Sequence, residues 1–468
     1  MPAHIRFEKL TRSRQQISMV FKIDDLRFET AYWYSDIDLY RLEERFGSAF
    51  MNKLYFHIMA FEINKFVSLK PETIDLGDYA HFYTKTFETL WRKILHHVWA
   101  QWRYEHNLPF YRGPKFTNKF AKTSVSAIEN TIGDTEVLSF CGGGKDSLVA
   151  MKLLERAEIP FASFAYSHSI YGPAKPQHQL IEALLQHGKP VKLHQQWVYD
   201  SFSDAPVLQL YPGYQVKSIT AAETPSSIFA VLPVVLEHGY RYIALGHERS
   251  ANVGNLIWEK TGEDVNHQWG KSYEAELLIN RYVQDELIRN FSYFSILQPV
   301  YDVLIFNLLR QDINAVSDTH SCNIRKPWCG KCPKCAYVLL NYLAYLPQET
   351  VNTIFKENLF DIFDIEENQR WFYQMLGLAE HTPFECIGQI DEARLAFELC
   401  NRKGLDGKAM KLYRQHFPQL DIEPILEKYL SVDSQQSGIP GKFFDKIIPQ
   451  MESAAIDAQR YIKQIVDN

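Results

Sequence analysis

The stretch 139–147, SFCGGGKDS, sets Gly142, Gly143 and Gly144 in a row between an apolar run and the helical pattern LVAMKLLERAE. A chain leaving a strand for a helix presents unpaired backbone N–H groups, and glycines let that backbone wrap a phosphate with no Cβ in the way. Lys145 then adds a point charge, Asp146 a carboxylate suited to holding magnesium against phosphates, and Ser147 a hydroxyl in the first helical turn. The stretch is read as a phosphate cradle. It is not a Walker loop, because Asp146 stands where Ser or Thr must follow the lysine, and it lacks the G-x-G-x-x-G spacing of a dinucleotide turn.

Three further groups carry chemistry. In GHERSAN, Gly246 admits close backbone approach, and His247, Glu248 and Arg249 offer a base, an acid and a cation side by side. This loop either faces the nucleotide, with His247 and Glu248 at phosphate, metal or proton transfer, or is a polar surface loop in which Arg249 is a solvated charge. Cys322, Cys329, Cys332 and Cys335 cluster, the last three separated by two residues each, so that neighbouring thiolates can turn onto one ion. A closed, structural zinc shell is the leading reading; an iron–sulfur cluster and unliganded thiols stay open. Lys326, Lys331 and Lys334 interleave the cluster, within reach of anionic groups or simply solvated. Cys386, beside Glu385 in PFECIG, is a candidate for trading a proton, against the plainer reading of a small core residue.

The elements that must position these groups alternate from Thr135 onward: EVLSF, LVAMKLLERAE, FASFAY, HQLIEALLQHG, VKLHQQWV, SSIFAVLPVVLEHG and RYIALGH. Strand, helix, strand, helix is the signature of an α/β fold with a parallel sheet covered by helices on both faces. Ligands in such sheets sit beyond the carboxyl ends of the strands, where the loops after EVLSF and RYIALG lie. Gly188 and Gly239 are expected to close helices, and Thr224-Pro225-Ser226-Ser227 to start one. Residues 1–130 form an aromatic-rich region whose segment DYAHFYTKTFETLWRKILHHVWAQWRYEH has helical periodicity of a core stripe. FSYFSILQPV is the last strand, inside a second region, 131–346, that ends with the cysteine segment and the helix CAYVLLNYLAYL. Residues 347–468 read as a helical C-terminal region.

With 468 residues, 46% hydrophobic and 23% charged, the chain is an ordinary globular protein of more than one core. A net charge of −6 leaves no electrostatic footprint for duplex nucleic acid and favours a small-molecule partner. The N-terminus MPAHIRFEKLTRSRQQ has no secretory pattern, and IFAVLPVVL is too short to cross a bilayer. A cytoplasmic protein with no membrane partner is expected, and in that reducing compartment clustered cysteines more often bind metal than pair.

The glycine loop resembles the Ser-Gly-Gly-x-Asp-Ser loop of the N-type ATP pyrophosphatases (the PP-loop superfamily): Gly143-Gly144-Lys145-Asp146-Ser147 match, and Gly142 replaces the leading serine. The resemblance implies an adenine nucleotide alpha hydrolase-like fold, cleavage of ATP between the α and β phosphates, and adenylation of a substrate oxygen; the loop after the later strand also faces ATP in that superfamily. Together, the aromatic N-terminal region, CGGGKDS, GHERSAN, the segment ending CPKCAY and the late PFECIG look like the UDP-N-acetylmuramoyl-L-alanyl-L-glutamate epimerases, the MurL family. That likeness implies a UDP-linked muramoyl dipeptide substrate, ATP with magnesium, and inversion of the terminal L-glutamate through an acyl-adenylate in peptidoglycan precursor synthesis. An acyl-adenylate acidifies the α proton that a free carboxylate holds tightly. Cys386, His247 and Glu248 are the candidates for the acid and base. Two other readings stand beside it: a nucleobase- or tRNA-modifying relative resembling the 7-cyano-7-deazaguanine synthases, whose sheet is followed by a similar cysteine cluster, and a nucleotide-binding protein without turnover.

Overall fold

The glycine-punctuated apolar runs from residue 137 onward fold as parallel strands. In the computed structural model, which describes residues 4–122, 125–203, 221–355 and 366–467, these are β6 (Val137–Cys141), β7 (Phe161–His168), β8 (Leu193–Asp200), β9 (Tyr242–Glu248) and β12 (Ser292–Leu297). They are preceded by β1 (His4–Arg12), β2 (Gln16–Ile23), β3 (Leu26–Tyr34), β4 (Thr73–Asp75) and β5 (Lys115–Phe116), and all ten form one sheet in the order β12-β9-β6-β7-β8-β3-β2-β1-β4-β5. The first five strands of that order are mutually parallel. β8 then meets β3 antiparallel, with Trp33 opposite Trp197, and β3, β2 and β1 continue as an antiparallel meander. A short hairpin, β10 (Leu256–Trp258) with β11 (Glu263–Val265), stands apart.

The sheet therefore runs unbroken across position 130, and the junction there is a change of strand direction. Lys65 reinforces it, donating to Asp200 of β8 at 2.8 Å and to Glu62 at 3.1 Å.

Alternate residues of each parallel strand face two different cores, as the period of 2 demands. Val137, Phe161, Tyr242 and Phe294 face the helices Lys145–Arg156, Asp302–Leu309, Pro333–Tyr345, Ile390–Arg402 and Gly441–Asp467. Leu138, Phe164, Ile243 and Tyr293 face Ser48–Glu62, Lys85–Val98, Glu223–Ala230, Leu232–His238 and Tyr273–Glu286. The helical C-terminal region covers one face and the aromatic N-terminal helices cover part of the other. Among the described residues no helix is long and apolar enough to cross a membrane.

Local expectations fare unevenly. Gly239 closes Leu232–His238 in the left-handed region at φ 72°. Gly188 does not cap its helix, which ends at Leu185; a Cβ there would lie 2.2 Å from Met151 Sδ, so this glycine serves close packing. The helix expected to start at 224–227 starts earlier, at Glu223, without a side-chain cap. Ser227 Oγ donates instead to the Thr224 carbonyl at 2.8 Å, and Glu223 places a negative charge at the positive end of the helix. The run SSIFAVLPVVLEHG is two helices, broken before Pro233. The meander β1–β3 went unread, although Ile17, Met19, Phe21 and Ile23 of β2 alternate inward.

Candidate active site

The glycine loop lies between β6 and the helix Lys145–Arg156, and two of its glycines are dictated by their neighbours. Gly143 has φ +84°, and a Cβ on it would lie 2.0 Å from the ring of His320, whose backbone N–H donates to the Gly143 carbonyl at 2.7 Å. A Cβ on Gly144 would lie 2.7 Å from Ser321 Oγ. Gly142 is exposed with nothing within 4 Å of an added Cβ, and its N–H donates to Ser147 Oγ at 3.1 Å. Gly246 of β9 lets two backbones touch, since its Cβ would lie 2.9 Å from the Asp146 carbonyl.

Lys145 is buried and held by two carboxylates. Its ammonium donates to Asp302 at 2.5 Å and Asp146 at 2.6 Å and lies 4.9 Å from the centre of the Phe306 ring. Burial alone would lower its pKa, but the two carboxylates outweigh it and hold the ammonium above its ordinary value. Its role is to fix the Asp146 side chain.

A cavity of about 240 Å³ opens over the loop. Gly142, Gly144, Asp146 and Ser147 line it, with Gly246 and His247 from β9. Lys271, Lys326 and Lys334 bring positive charge to the same walls, the last two from the cysteine segment. Burial first, and Lys271 second, push His247 down to about 3, so it is a neutral imidazole; its Nδ1 lies 3.2 Å from Ser295 Oγ.

The other two ionisable residues of the GHERSAN loop, Glu248 and Arg249, do not line this cavity. Glu248 is buried, accepts the Ser250 N–H, and is pushed well up by burial and by Asp302 and Glu392. Glu392 accepts from Ser250 Oγ and Gln389 N, each at 2.7 Å, and is itself raised to about 7 by burial and Asp302. Arg249 donates to Asp433 at 2.8 Å and covers the Tyr301 ring at 4.9 Å. Arg249, through Asp433, and Ser250, through Glu392, tie the loop after β9 to the C-terminal region.

A second cavity, of about 430 Å³, adjoins the first. Trp99, Trp102 and Phe384 give it aromatic walls, and Cys386 lines it. Lys271 Nζ donates to Cys386 Sγ at 3.0 Å. Burial alone would raise the thiol, but Lys271, Lys334 and His267 hold it well below its ordinary value, and the thiolate in turn raises Lys271. Cys386 is thus paired with an ammonium that favours its thiolate form. The two cavities share Tyr171, Glu223, Thr224, Lys271 and Asn323 as walls. Sequence reasoning singled out none of these five for chemistry, since they come from four separate segments, only Glu223 and Thr224 being neighbours, with no local motif.

The four clustered cysteines converge. Cys322 Sγ lies 4.0 Å from Cys332 Sγ, and Cys329 Sγ 3.8 Å from Cys335 Sγ. A tetrahedron with metal–sulfur distances of about 2.3 Å has an edge of about 3.8 Å, so the donor set fits zinc. The N–H groups of Ile324, Arg325, Lys331 and Cys335 point at these sulfurs at 3.3–3.4 Å, as second-layer donors to thiolates do. Another grouping, Asp36 with His194 and His238, already holds its cation, since Lys192 Nζ lies 3.1 Å from Asp36.

Comparisons with known proteins match the sequence in two blocks. A family model described as the MurL N-terminal domain matches residues 220–296, and one described as the MurL C-terminal domain matches residues 316–419. The first block carries Glu223, Gly246, His247 and Lys271, and the second carries His320, the four cysteines, Lys326, Lys334 and Cys386. The phosphate loop at 142–147 lies outside both. The chain is 29% identical over 308 residues to a UDP-N-acetyl-alpha-D-muramoyl-L-alanyl-L-glutamate epimerase of Micromonospora, covering 64% of each protein. It is 28% identical over 271 residues to the protein of that name from Salinispora tropica, covering 56% of this chain and 55% of the relative. With the one from Xanthomonas oryzae pv. oryzae it shares 28% over 320 residues, 65% of this chain and 66% of the relative. The matched part spans less than two thirds of each of these relatives. No solved structure matches. Both domains described for MurL are thus matched within this one chain.

Proposed function

We propose that the chain inverts the terminal L-glutamate of UDP-N-acetylmuramoyl-L-alanyl-L-glutamate, activating its carboxylate with ATP. The observation that carries this reading is the junction of the cavity over the glycine loop with a cavity holding the Lys271–Cys386 pair, through shared walls. An activation site next to a proton-transfer site suits inversion at a carbon whose proton a free carboxylate holds tightly. The relatives named as epimerases point to the same reaction.

In this reading the loop 142–147 holds the triphosphate, and a glutamate carboxylate oxygen attacks the α phosphorus, expelling pyrophosphate and forming a mixed anhydride with AMP. Lys271, Lys326 and Lys334 neutralise the charge that develops on the leaving group. Asp146, half-exposed and fixed by Lys145, is the residue that would hold magnesium, which when bound offsets phosphate charge. The anhydride withdraws electrons from Cα, and the Cys386 thiolate removes the α proton to leave an enolate-like carbanion. Protonation from the other face and attack by water release AMP and the D-glutamyl product. Zinc on Cys322, Cys329, Cys332 and Cys335 is structural, holding the segment that carries Lys326 and Lys334.

The test is incubation with ATP, magnesium and the L-Ala-L-Glu precursor in heavy water, with nucleotide products and glutamate enantiomers resolved. Expected are AMP and pyrophosphate, with deuterium at Cα of the D-glutamyl product only when ATP is present. ADP and phosphate as sole nucleotide products would overturn the reading. If AMP forms while the glutamate keeps its proton and configuration, the chain adenylates another substrate, and a nucleobase- or tRNA-modifying activity takes its place.

A further inference from the structure

Inversion needs two proton-exchanging groups on opposite faces of one carbon, and Cys386 supplies only one. Its partner cannot be Lys271 or His267: both act directly on the Cys386 sulfur and so approach from the same side. Of the remaining walls shared by the two cavities, Thr224 and Asn323 do not exchange protons in this range, which leaves Tyr171 and Glu223.

These two are bonded to each other. The Tyr171 hydroxyl donates to Glu223 Oε2 at 3.1 Å, and the Tyr166 hydroxyl fixes the carboxylate by donating to Oε1 at 2.9 Å. The ammonium of Lys326 lies 5.3 Å from the centre of the Tyr171 ring, where it stabilises negative charge appearing on the phenol. Tyr171 ends the short turn after β7, whereas Cys386 comes from the loop before the helix Ile390–Arg402; both line the second cavity, near enough for Cys386 to act on the phenol.

Resting on the epimerase reading above, we propose that Tyr171, positioned by Glu223, is the acid that delivers a proton to the face of Cα opposite Cys386. The α proton leaves for the Cys386 sulfur while its bonding pair enters the adjacent acyl group. The phenol proton then forms the new Cα–H bond, and the phenolate is left beside Lys326. Before the next turnover Cys386 loses its proton to solvent and Tyr171 regains one, so the balance closes without a further reagent. The resting protonation states suit these roles. Burial and Glu223 hold the phenol well above its ordinary value, so it is protonated, while Lys271 holds Cys386 below its own and favours the thiolate. That assignment starts the reaction from the L-epimer.

The test uses the full-length protein in heavy water with ATP, magnesium and the L-Ala-L-Glu precursor, comparing wild type, Y171F, E223Q and C386S. Wild-type inversion shows that the epimerase reading holds; its absence fails that reading, not this assignment alone. Y171F should invert at least a hundredfold more slowly while deuterium still enters Cα of the L-configured dipeptide, because Cys386 can still remove and return a proton on its own face. E223Q should slow inversion in the same sense by tenfold or more, and C386S should stop deuterium entry altogether. Inversion by Y171F within tenfold of wild type would overturn the proposal. So would loss of inversion together with loss of deuterium entry in a Y171F protein whose thermal melt matches wild type, because Tyr171 would then act before proton removal.

Discussion

Alanine at Gly143 and alanine at Gly142 should have opposite effects, although the two residues are neighbours in one loop. At Gly143 the backbone has φ +84°, a region that costs an L-residue about 1–2 kcal/mol. The added methyl would sit 2.0 Å and 2.1 Å from two atoms of the His320 ring, well inside contact distance. His320 is 1% exposed, so relief needs its packed ring to be displaced, or the backbone that donates to the Gly143 carbonyl to shift with it. Overpacking of this kind costs about 1–3 kcal/mol, giving about 2–5 kcal/mol in all. Gly142 lacks a positive φ and faces open space, so alanine there should be neutral or stabilising by up to about 1 kcal/mol. Urea unfolding followed by tryptophan fluorescence measures both, and pyrophosphate binding by titration calorimetry should fall in G143A and hold in G142A. If G143A is within 1 kcal/mol of G142A, the argument that His320 dictates this glycine is wrong.

Two further outcomes are expected. Glu276 accepts the Ser295 N–H with one carboxylate oxygen, leaves the other buried without a partner, and is raised by burial to about 7. A raised carboxyl stabilises fully below its unfolded pKa and loses that contribution as pH climbs through the folded value, so E276Q should gain about 3 kcal/mol on wild type between pH 4.5 and 7; a gap that stays constant with pH sinks the argument. The purified protein should hold one zinc ion per chain, and C335S should lose it and melt at a lower temperature; elemental analysis without metal, or an unchanged melt, refutes the fit.

The parallel half of the sheet was legible because each strand is a short apolar run closed by glycine or by a helical pattern, as in EVLSF before Gly142 and RYIAL before Gly246. The meander β1–β3 was hidden by the more conspicuous aromatic stripes that follow it, although its period-2 signal is plain in Ile17, Met19 and Phe21. Asp146 and Ser147 stand in the cavity because their positions follow from the loop itself. Glu248 and Arg249 are only one and two residues beyond the cavity-lining His247, yet face Glu392 and Asp433, partners from the C-terminal region that no local pattern announces. Cys386 could be named from its chemistry, but Lys271, which favours its thiolate form, could not, since the pair exists only through packing.

The lock between His320 and Gly143 also bears on the order in which the molecule is completed. The turn after β6 is local, and a strand followed by a helix could be made early; yet its shape depends on a segment far along the chain that also carries the four cysteines and Lys326. Contacts between such distant segments form late in folding, because loop closure must precede any gain from them. The same late docking brings a lysine of that segment over Tyr171. On the function proposed above, a half-folded chain would have neither a shaped nucleotide grip nor a finished proton path, so activation would not run ahead of inversion to spend nucleotide on an anhydride that only water consumes.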